Sequence, residues 1–503
     1  MSSFFYSLAF HRSGKPRKWL VFALFSDGMT VRPMFRRIVH KRNGRVRPRF
    51  SYFMTKGANP VLPQRLRPEE LALRAMLPFE ATVQSWRGKS APSSLLSRDE
   101  LMSLLAPDSP IASLRLLISV SQDDYTRVPG GVQLCIQREQ KLAVEQGFNY
   151  LQIHPWYPLP RLAHIEEGPD TIINLILDGK LIGSCPTSTL IGVALQIAAT
   201  SGVISIVVHQ LLGHLPEQIV DLVQATGSGR CVFWLHDFFS ICPSYTLQRN
   251  NLVFCSGPPI TSNACGLCVY GLERTTHLKR IKAFFDNVRV DVASPSTVTA
   301  EFWQAKAGLK TASISVLPHM SLDVVARKST LPHLVDGPIT VGYLGAPAQH
   351  KGWPVFANLM QENFGSGNYR FVVMSVKRPR LGEDDWVSVH VTADNLTAMS
   401  DAVAAEDIDI VLHWPTWPET FSFTTFEALA GSAYVVTNSG SGNVAAVVKQ
   451  TGRGAILDDE DELLEFFRSG QAWDLATSRR EAKRDFEVGH RHSDMSLSLI
   501  MKG

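Results

Sequence analysis

Two glutamates, Glu419 and Glu427, stand eight positions apart in "PETFSFTTFEALAGSAYVVTN", on either side of a mostly apolar and hydroxylic run. Thr420 or Ser422 can cap a helix that Gly431 ends. Glu419 then falls in the loop above the carboxyl end of the preceding strand, "IDIVLHW", and Glu427 about one and a half turns into the helix. The backbone N–H groups of Phe421, Ser422 and Phe423 point out of the helix start, where an anion such as a diphosphate can bind. A carboxylate on each side can accept hydrogen bonds from the hydroxyls of a sugar and of a ribose. The spacing therefore suits a nucleotide-sugar, and a capped helix with one solvated glutamate fits it too.

Four cysteines, Cys242, Cys255, Cys265 and Cys268, fall within 27 residues, and the last two form a Cys-x-x-Cys pair. Reduced thiols at that density can make a tetrahedral structural zinc site. The two longer spacings are not those of a standard finger, so ordinary buried cysteines are the alternative. Asp-x-Asp strings occur at Asp407–Asp409 and Asp459–Asp461. The first leads into an apolar strand and the second lies in an acidic loop, so neither is read as a metal site.

These groups need a scaffold. Residues 1–110 are irregular, with amphipathic helix patterns at "RPEELALRAMLPFEATVQSW" and "SRDELMSLLAPDS". From Leu114 onward, strand-like and helix-like runs alternate through "LRLLISV", "YLQIHPWY", "TIINLILDG", "GVALQIAATSG", "VISIVVHQLLGH" and "RCVFWLHDFF". A second series runs from "PITVGYLGAPAQHKGW" to "GAILDDEDELLEFFRSG". Such alternation implies α/β domains with parallel sheets covered on both faces. The expected organisation is a basic extension (1–110), a Rossmann-like domain (111–320), a linker (321–336), a second Rossmann-like domain (337–485) and a tail (486–503). The two domains should face a cleft.

At 503 residues, 45% hydrophobic and 19% charged, the chain is an ordinary folded protein with room for several domains. No apolar run reaches the roughly 18 residues of a membrane span. No secretory signal is evident, so a cytoplasmic location with reduced cysteines is expected. Residues 1–60 hold thirteen Lys or Arg and one acid, Asp27, whereas the rest of the chain is net acidic. Cations there alternate with Trp19, Phe22, Phe25, Phe35 and Phe50. Such an arm suits peripheral contact with an anionic membrane, at the inner face for a cytoplasmic protein, better than nucleic acid. A solvated flap, or a buried strand with cations on its exposed face, fits the same pattern.

Beyond spacing, the stretch "PTWPETFSFTTFEALAGSAYVV" resembles the E-x7-E donor motif of GT-B glycosyltransferases of family 4, retaining enzymes that use nucleotide-sugars. "VGYLGAPAQHKGW" is similar to their glycine loop and Lys-Gly pair, and "WLHDFFSICPSYTL" to their His-Asp segment. "VASPSTVTAEF" and "ISVLPHM" match the end of their first domain, so the resemblance covers about residues 114–485. It implies that Glu419 contacts the donor sugar and Glu427 the ribose. The amides of Phe421, Ser422 and Phe423 would hold the phosphates beside the loop of Gly345. Lys351 would neutralise the departing pyrophosphate. His236, with Asp237, would lie across the cleft near the acceptor, which the turn at Gly130 and Gly131 would let approach the backbone. Tyr343-Leu344-Gly345 stands where family members commonly carry an Arg, and Thr420 and Ser422 replace glycines. "NSGSGN" (438–443) replaces a Gly-Gly turn.

The expected function is transfer of a sugar from a nucleotide-sugar to a hydroxyl of a glycan or lipid-linked glycan, as in surface polysaccharide synthesis, with retention. No metal or other cofactor is expected for catalysis. A nucleotide-sugar epimerase on the same fold and a non-catalytic binding subunit are the alternatives.

Overall fold

Leu116, Ile118 and Val120 point to one face of the strand Arg115–Val120 and Leu117 to the other, and all four are buried. A strand apolar on both faces belongs inside a sheet covered by helices on both sides. The computed structural model describes residues 5–7, 20–22, 94–106, 113–326, 337–363, 365–379 and 385–501, and builds two such sheets.

The first sheet runs Ser313–Val316, Arg289–Ser294, Arg230–Trp234, Val203–Val208, Arg115–Val120, Asn149–Pro155, Ile172–Leu177, Lys180–Pro186. Its first six strands are parallel. The last two form an antiparallel hairpin, which the sequence reading passes over by going from "TIINLILDG" straight to a helix. Asp178 and Gly179 make its two-residue turn with φ of 46° and 83°, the conformation an Asp-Gly pair supplies at low cost.

The second sheet is wholly parallel, in the order Asp385–Ser388, Tyr369–Ser375, Ile339–Leu344, Ile410–Leu412, Tyr434–Asn438, Gly454–Leu457. Numbered along the chain this is 3-2-1-4-5-6, the doubly wound order of a Rossmann domain. Its switch point lies between Ile339–Leu344 and Ile410–Leu412, and the loops that leave those two strands carry Lys351 and Glu419. Asp409, in front of the second of these strands, is buried against Arg479 and Arg480, and Asp407 pairs with Arg479 and Lys483. The first Asp-x-Asp string thus anchors the helix Gln471–Asp485 to the sheet.

Loops at the carboxyl ends of the two sheets meet. The Thr420 hydroxyl donates to the His236 carbonyl at 2.6 Å, and the Gln248 side-chain amide donates to Thr416 Oγ1 at 2.6 Å. Two Rossmann-like domains opposed through these loops form the GT-B architecture.

Three segments lie otherwise than expected. Residues 94–106, placed in the extension, join the first domain: Leu95 bridges to Ser184, and the helix Arg98–Leu105 buries Leu101, Met102 and Leu105 in its core. Met320–Ala326, at the start of the expected linker, pairs antiparallel with Phe486–His492 of the expected tail. The chain then returns to the first domain, where Met495, Leu497 and Leu499 pack in one cluster with Leu117, Ile136 and Trp234. "SDMSLSLI" is too short to show a period, so its apolar residues declare themselves only where a distant surface receives them.

In the arm, Phe5–Ser7 and Leu20–Phe22 pair as antiparallel strands, so part of "WLVFALF" is β-structure. The rest of the arm, including Trp19, Phe25, Phe35 and Phe50, lies outside the described residues, as do the helix pattern at 67–86 and residues 327–336. No helix among the described residues is long and apolar enough to cross a membrane.

Candidate active site

Ser422 caps the helix Phe423–Ala430, its hydroxyl accepting from the Thr425 amide at 3.3 Å, and Gly431 ends it. The first N–H groups of such a helix have no acceptor within it. Glu419, just before the cap, is held through its main chain. Its N–H donates to the Ser441 carbonyl at 3.1 Å, and its carbonyl accepts from the Asn443 amide at 2.9 Å. Between those two partners Gly442 has φ 66°, and a Cβ there would lie 2.8 Å from the Glu419 carbonyl oxygen. The "NSGSGN" turn is therefore the brace of Glu419, a role that its sequence does not announce.

The Glu419 carboxylate is 2% exposed and receives the Lys351 ammonium at 2.8 and 2.9 Å. Lys351 itself is 37% exposed and lies 5.8 Å from the Trp417 ring. Gly352 fixes its approach: φ is 81°, and a Cβ would sit 2.1 Å from the Trp414 carbonyl oxygen. The acid and the cation thus come from the two loops flanking the switch point and meet in front of the helix.

Glu427, in the helix Phe423–Ala430, is buried, and burial pushes its pKa up to about 7. Gly345 turns at φ 93°, and its Cβ position faces Thr424 at 3.6 Å. Tyr343, in the stretch 343–345, is buried and donates to the Ala346 carbonyl at 3.1 Å, clasping the glycine loop. His413 sits at the end of the strand Ile410–Leu412, with Nε2 3.3 Å from Ser422 Oγ. Burial first, then the Lys351 charge, lowers its pKa to about 3, and the same two causes lower His350 to about 4. Both rings are neutral near pH 7, so they add no charge to that of Lys351.

Phe421 and Phe423 join the domains as well as lining the helix start. Phe421 stacks on Phe426 at 4.6 Å and meets His319 edge-on at 5.0 Å. Phe423 stacks on His319 at 5.6 Å, and the Cβ position of Gly131 is 3.5 Å from its ring. Gly131 opens the helix Gly131–Glu145, and its lack of a side chain makes room for Phe423. Gly130 is extended, with φ 172°, a conformation open to any residue.

His236 follows the strand Arg230–Trp234 and is half-buried. Its ring stacks with those of Trp234, His209 and His319 at 5.3, 5.2 and 5.3 Å. Its Nε2 is 2.9 Å from His209 Nδ1, and His209 Nε2 is 3.0 Å from a Glu139 carboxylate oxygen. The His236 carbonyl takes the Thr420 hydroxyl, next to Glu419, so His236 and the Glu419 loop are brought together. Asp237 accepts from the Phe239 amide at 2.8 Å and the Gln210 side chain at 2.6 Å, and burial lifts its pKa to about 7. It braces the loop. Glu139, His209, His319 and His413 escaped the sequence reading. His209 and His413 each directly follow an apolar strand, which was the available signal; Glu139, inside a helix, gave none.

The four cysteines line one cavity of about 20 Å³ together with Arg274, whose guanidinium lies 2.9 Å from Cys265 Sγ. Among the described residues, Cys135, His236 and His319 are the one group of three whose donor atoms all fall within 4.8 Å of one another. Cys242, Cys255, Cys265 and Cys268 thus face one void, which Arg274 shares. Elemental analysis of purified protein tests the structural-zinc expectation: about one zinc per chain supports it, and a metal-free, fully stable protein leaves the thiols as packing.

No family model matches this sequence, and no curated protein matches it. Solved structures similar to the chain include HepE from Anabaena in complex with UDP-glucose, at 14% identity, 74% of this chain, 95% of that one and a TM-score of 0.41. A glycosyltransferase from Rickettsia africae is similar at 11% identity over 74% of this chain and 92% of its own, with a TM-score of 0.42. The pneumococcal O-GlcNAc transferase GtfA in complex with UDP and GlcNAc is similar at 8% identity over 73% and 95%, with a TM-score of 0.44.

Proposed function

We propose that the chain is a glycosyltransferase that moves a sugar from a nucleotide-sugar to a hydroxyl of a glycan or lipid-linked glycan, with retention. The observation that carries this reading is the Lys351–Glu419 pair, held in front of a capped helix start at the switch point and joined through Thr420 to His236. A diphosphate set against the amides of Phe421, Ser422 and Phe423 lies where the Lys351 ammonium can share its charge. Gly345, without a side chain, lets the loop after the strand Ile339–Leu344 come close to Thr424 at the helix start. Glu419, released in part from Lys351, accepts from the sugar hydroxyls, and Glu427 accepts from the ribose. As the glycosidic bond breaks, negative charge grows on the diphosphate, and a fixed ammonium stabilises that charge most in the transition state. Retention follows if acceptor attack occurs on the face the diphosphate leaves, with a phosphate oxygen taking the hydroxyl proton.

Thermal-shift screening against UDP-, GDP-, dTDP- and ADP-sugars tests the donor, since a ligand of the native state raises its melting point. Donor hydrolysis with and without glycan acceptors then tests transfer, which is expected to persist in EDTA. Conversion of a donor to its isomer would mean an epimerase. The stretch Tyr343-Leu344-Gly345, which carries no second cation, favours one rival, a binding subunit without turnover; donor binding with no hydrolysis under any condition selects it.

The basic arm would hold the enzyme at an anionic membrane, where a lipid-linked acceptor is concentrated, each cation near the surface contributing about 1 kcal/mol. The full chain is expected to sediment with anionic vesicles and to release in high salt. Equal sedimentation after removal of residues 1–60 would end this part of the reading.

A further inference from the structure

Cys135, His236 and His319 come from three separate parts of the chain and converge beside the candidate active site. Cys135 lies buried in the second turn of the helix Gly131–Glu145, and His236 follows the strand Arg230–Trp234. His319, also buried, directly precedes the strand Met320–Ala326. The Cys135 sulfur and one nitrogen from each ring all lie within 4.8 Å of one another. Tetrahedral zinc, with Zn–S of about 2.3 Å and Zn–N of about 2.0 Å, holds such donors about 3.5 Å apart, so they need close by about 1.3 Å at most. The ring centroids of His236 and His319 are 5.3 Å apart, and two imidazoles on one tetrahedral zinc stand at roughly 5 Å. His319 Nδ1 is buried with no hydrogen-bond partner among the described residues. A buried polar atom left bare costs stability, and a metal ion would satisfy it.

We propose that Cys135, His236 and His319 form a binding site for one transition-metal ion of the zinc class. A thiolate and two imidazoles select a borderline or soft ion over magnesium and calcium, which take oxygen ligands. On binding, the Cys135 thiol gives its proton to solvent and the sulfur bonds the ion; water completes the set, as in other sites with three protein ligands. The surroundings already hold the ligands in place. His236 Nε2 is 2.9 Å from His209 Nδ1, and His209 Nε2 is 3.0 Å from a Glu139 oxygen. The hydroxyls of Tyr150 and Ser496 hold that same carboxyl group. A carboxyl behind a ligand histidine fixes the ring and offsets the charge of the ion. Arg138, on the helix that carries Cys135, gives its guanidinium to the main-chain carbonyls of His319 and Ser493 at 3.4 and 2.8 Å. The ion would tie two elements of the first domain to the segment that leaves it, whose His319 ring meets Phe421 and Phe423. The site is independent of the glycosyl-transfer reading, and transfer in EDTA remains the expectation there.

The probes are zinc(II) and cobalt(II), added to the full-length chain after stripping with EDTA. X-ray absorption of the zinc-loaded protein is expected to show one sulfur at about 2.3 Å and two imidazole nitrogens at about 2.0 Å. Cobalt is expected to give a sulfur-to-metal charge-transfer band with the strong visible absorption of a four-coordinate ion. Cys135→Ala should abolish that band and weaken zinc binding about 100-fold, and Glu139→Gln should weaken it about 10-fold. Excess zinc should raise the melting point of the wild type and leave that of Cys135→Ala unchanged. The cluster of Cys242, Cys255, Cys265 and Cys268 has its own signature: an ion with sulfur neighbours only, whose band survives in Cys135→Ala and is lost in Cys268→Ser. Where the first equivalent shows that signature, the second equivalent decides. Failure to bind either ion, or the absence of any ion with mixed sulfur and nitrogen neighbours, overturns the proposal. Should Cys135→Ala fail to fold, the wild-type X-ray absorption spectrum decides by itself.

Discussion

Lys351→Ala is expected to lower transfer by roughly 100- to 1,000-fold, the loss that follows removal of one group placed to meet transition-state charge. Two effects coincide in this variant. The departing diphosphate loses its fixed cation, and the buried Glu419 carboxylate loses the ammonium at 2.8 and 2.9 Å. Stability should fall by about 1.5 kcal/mol, the low end for a hydrogen bond to a charged group, because Lys351 is itself 37% exposed. The double variant Lys351→Met with Glu419→Gln separates the two effects. It removes both charges, so it should recover stability and recover no activity. Chemical denaturation and single-turnover transfer assays on both proteins check this, and normal turnover in folded Lys351→Ala would remove Lys351 from the site.

Glu427 carries the second large expectation, a dependence on pH. Its pKa in the folded chain is raised by burial to about 7 from 4.5. The folded state therefore holds a proton through that window that the unfolded state has given up. Stability is full below 4.5 and is lost as the pH rises through about 7, by about 3 kcal/mol in total. Glu427→Gln carries no such penalty, so at pH 8 it should unfold at higher denaturant than the wild type, while near pH 4.5 the two should coincide. A nucleotide whose ribose hydroxyls donate to Glu427 favours the carboxylate. Donor affinity of the wild type should thus rise about tenfold between pH 6 and pH 8, with proton release on binding. Calorimetry in buffers of different ionisation enthalpy reads that release. Flat affinity across this range, or equal affinity in Glu427→Gln, would take Glu427 away from the ribose.

The sequence by itself determined what short-range pattern can encode. Alternating apolar runs specified two α/β domains, and the carboxyl ends of their strands specified where chemistry should collect. A cap at Thr420 or Ser422, Gly431 as stop and the eight-residue spacing of the glutamates placed Glu419 before a helix and Glu427 within it, because capping and helical pitch act over a few residues; the structure chose Ser422. The tertiary structure decided everything that depends on partners far along the chain. Lys351 meets Glu419 across 68 residues, and His209 meets Glu139 across 70. Ser441 to Asn443 brace Glu419 from a neighbouring strand, and the C-terminal segment pairs with Met320–Ala326 and ends against Glu139. The Asp178–Gly179 turn was legible and passed over, whereas Glu139 was not legible at all. A glutamate inside a helix looks solvated until the fold buries it, and the hydrogen bonds that make it a carboxylate come from three separate parts of the chain.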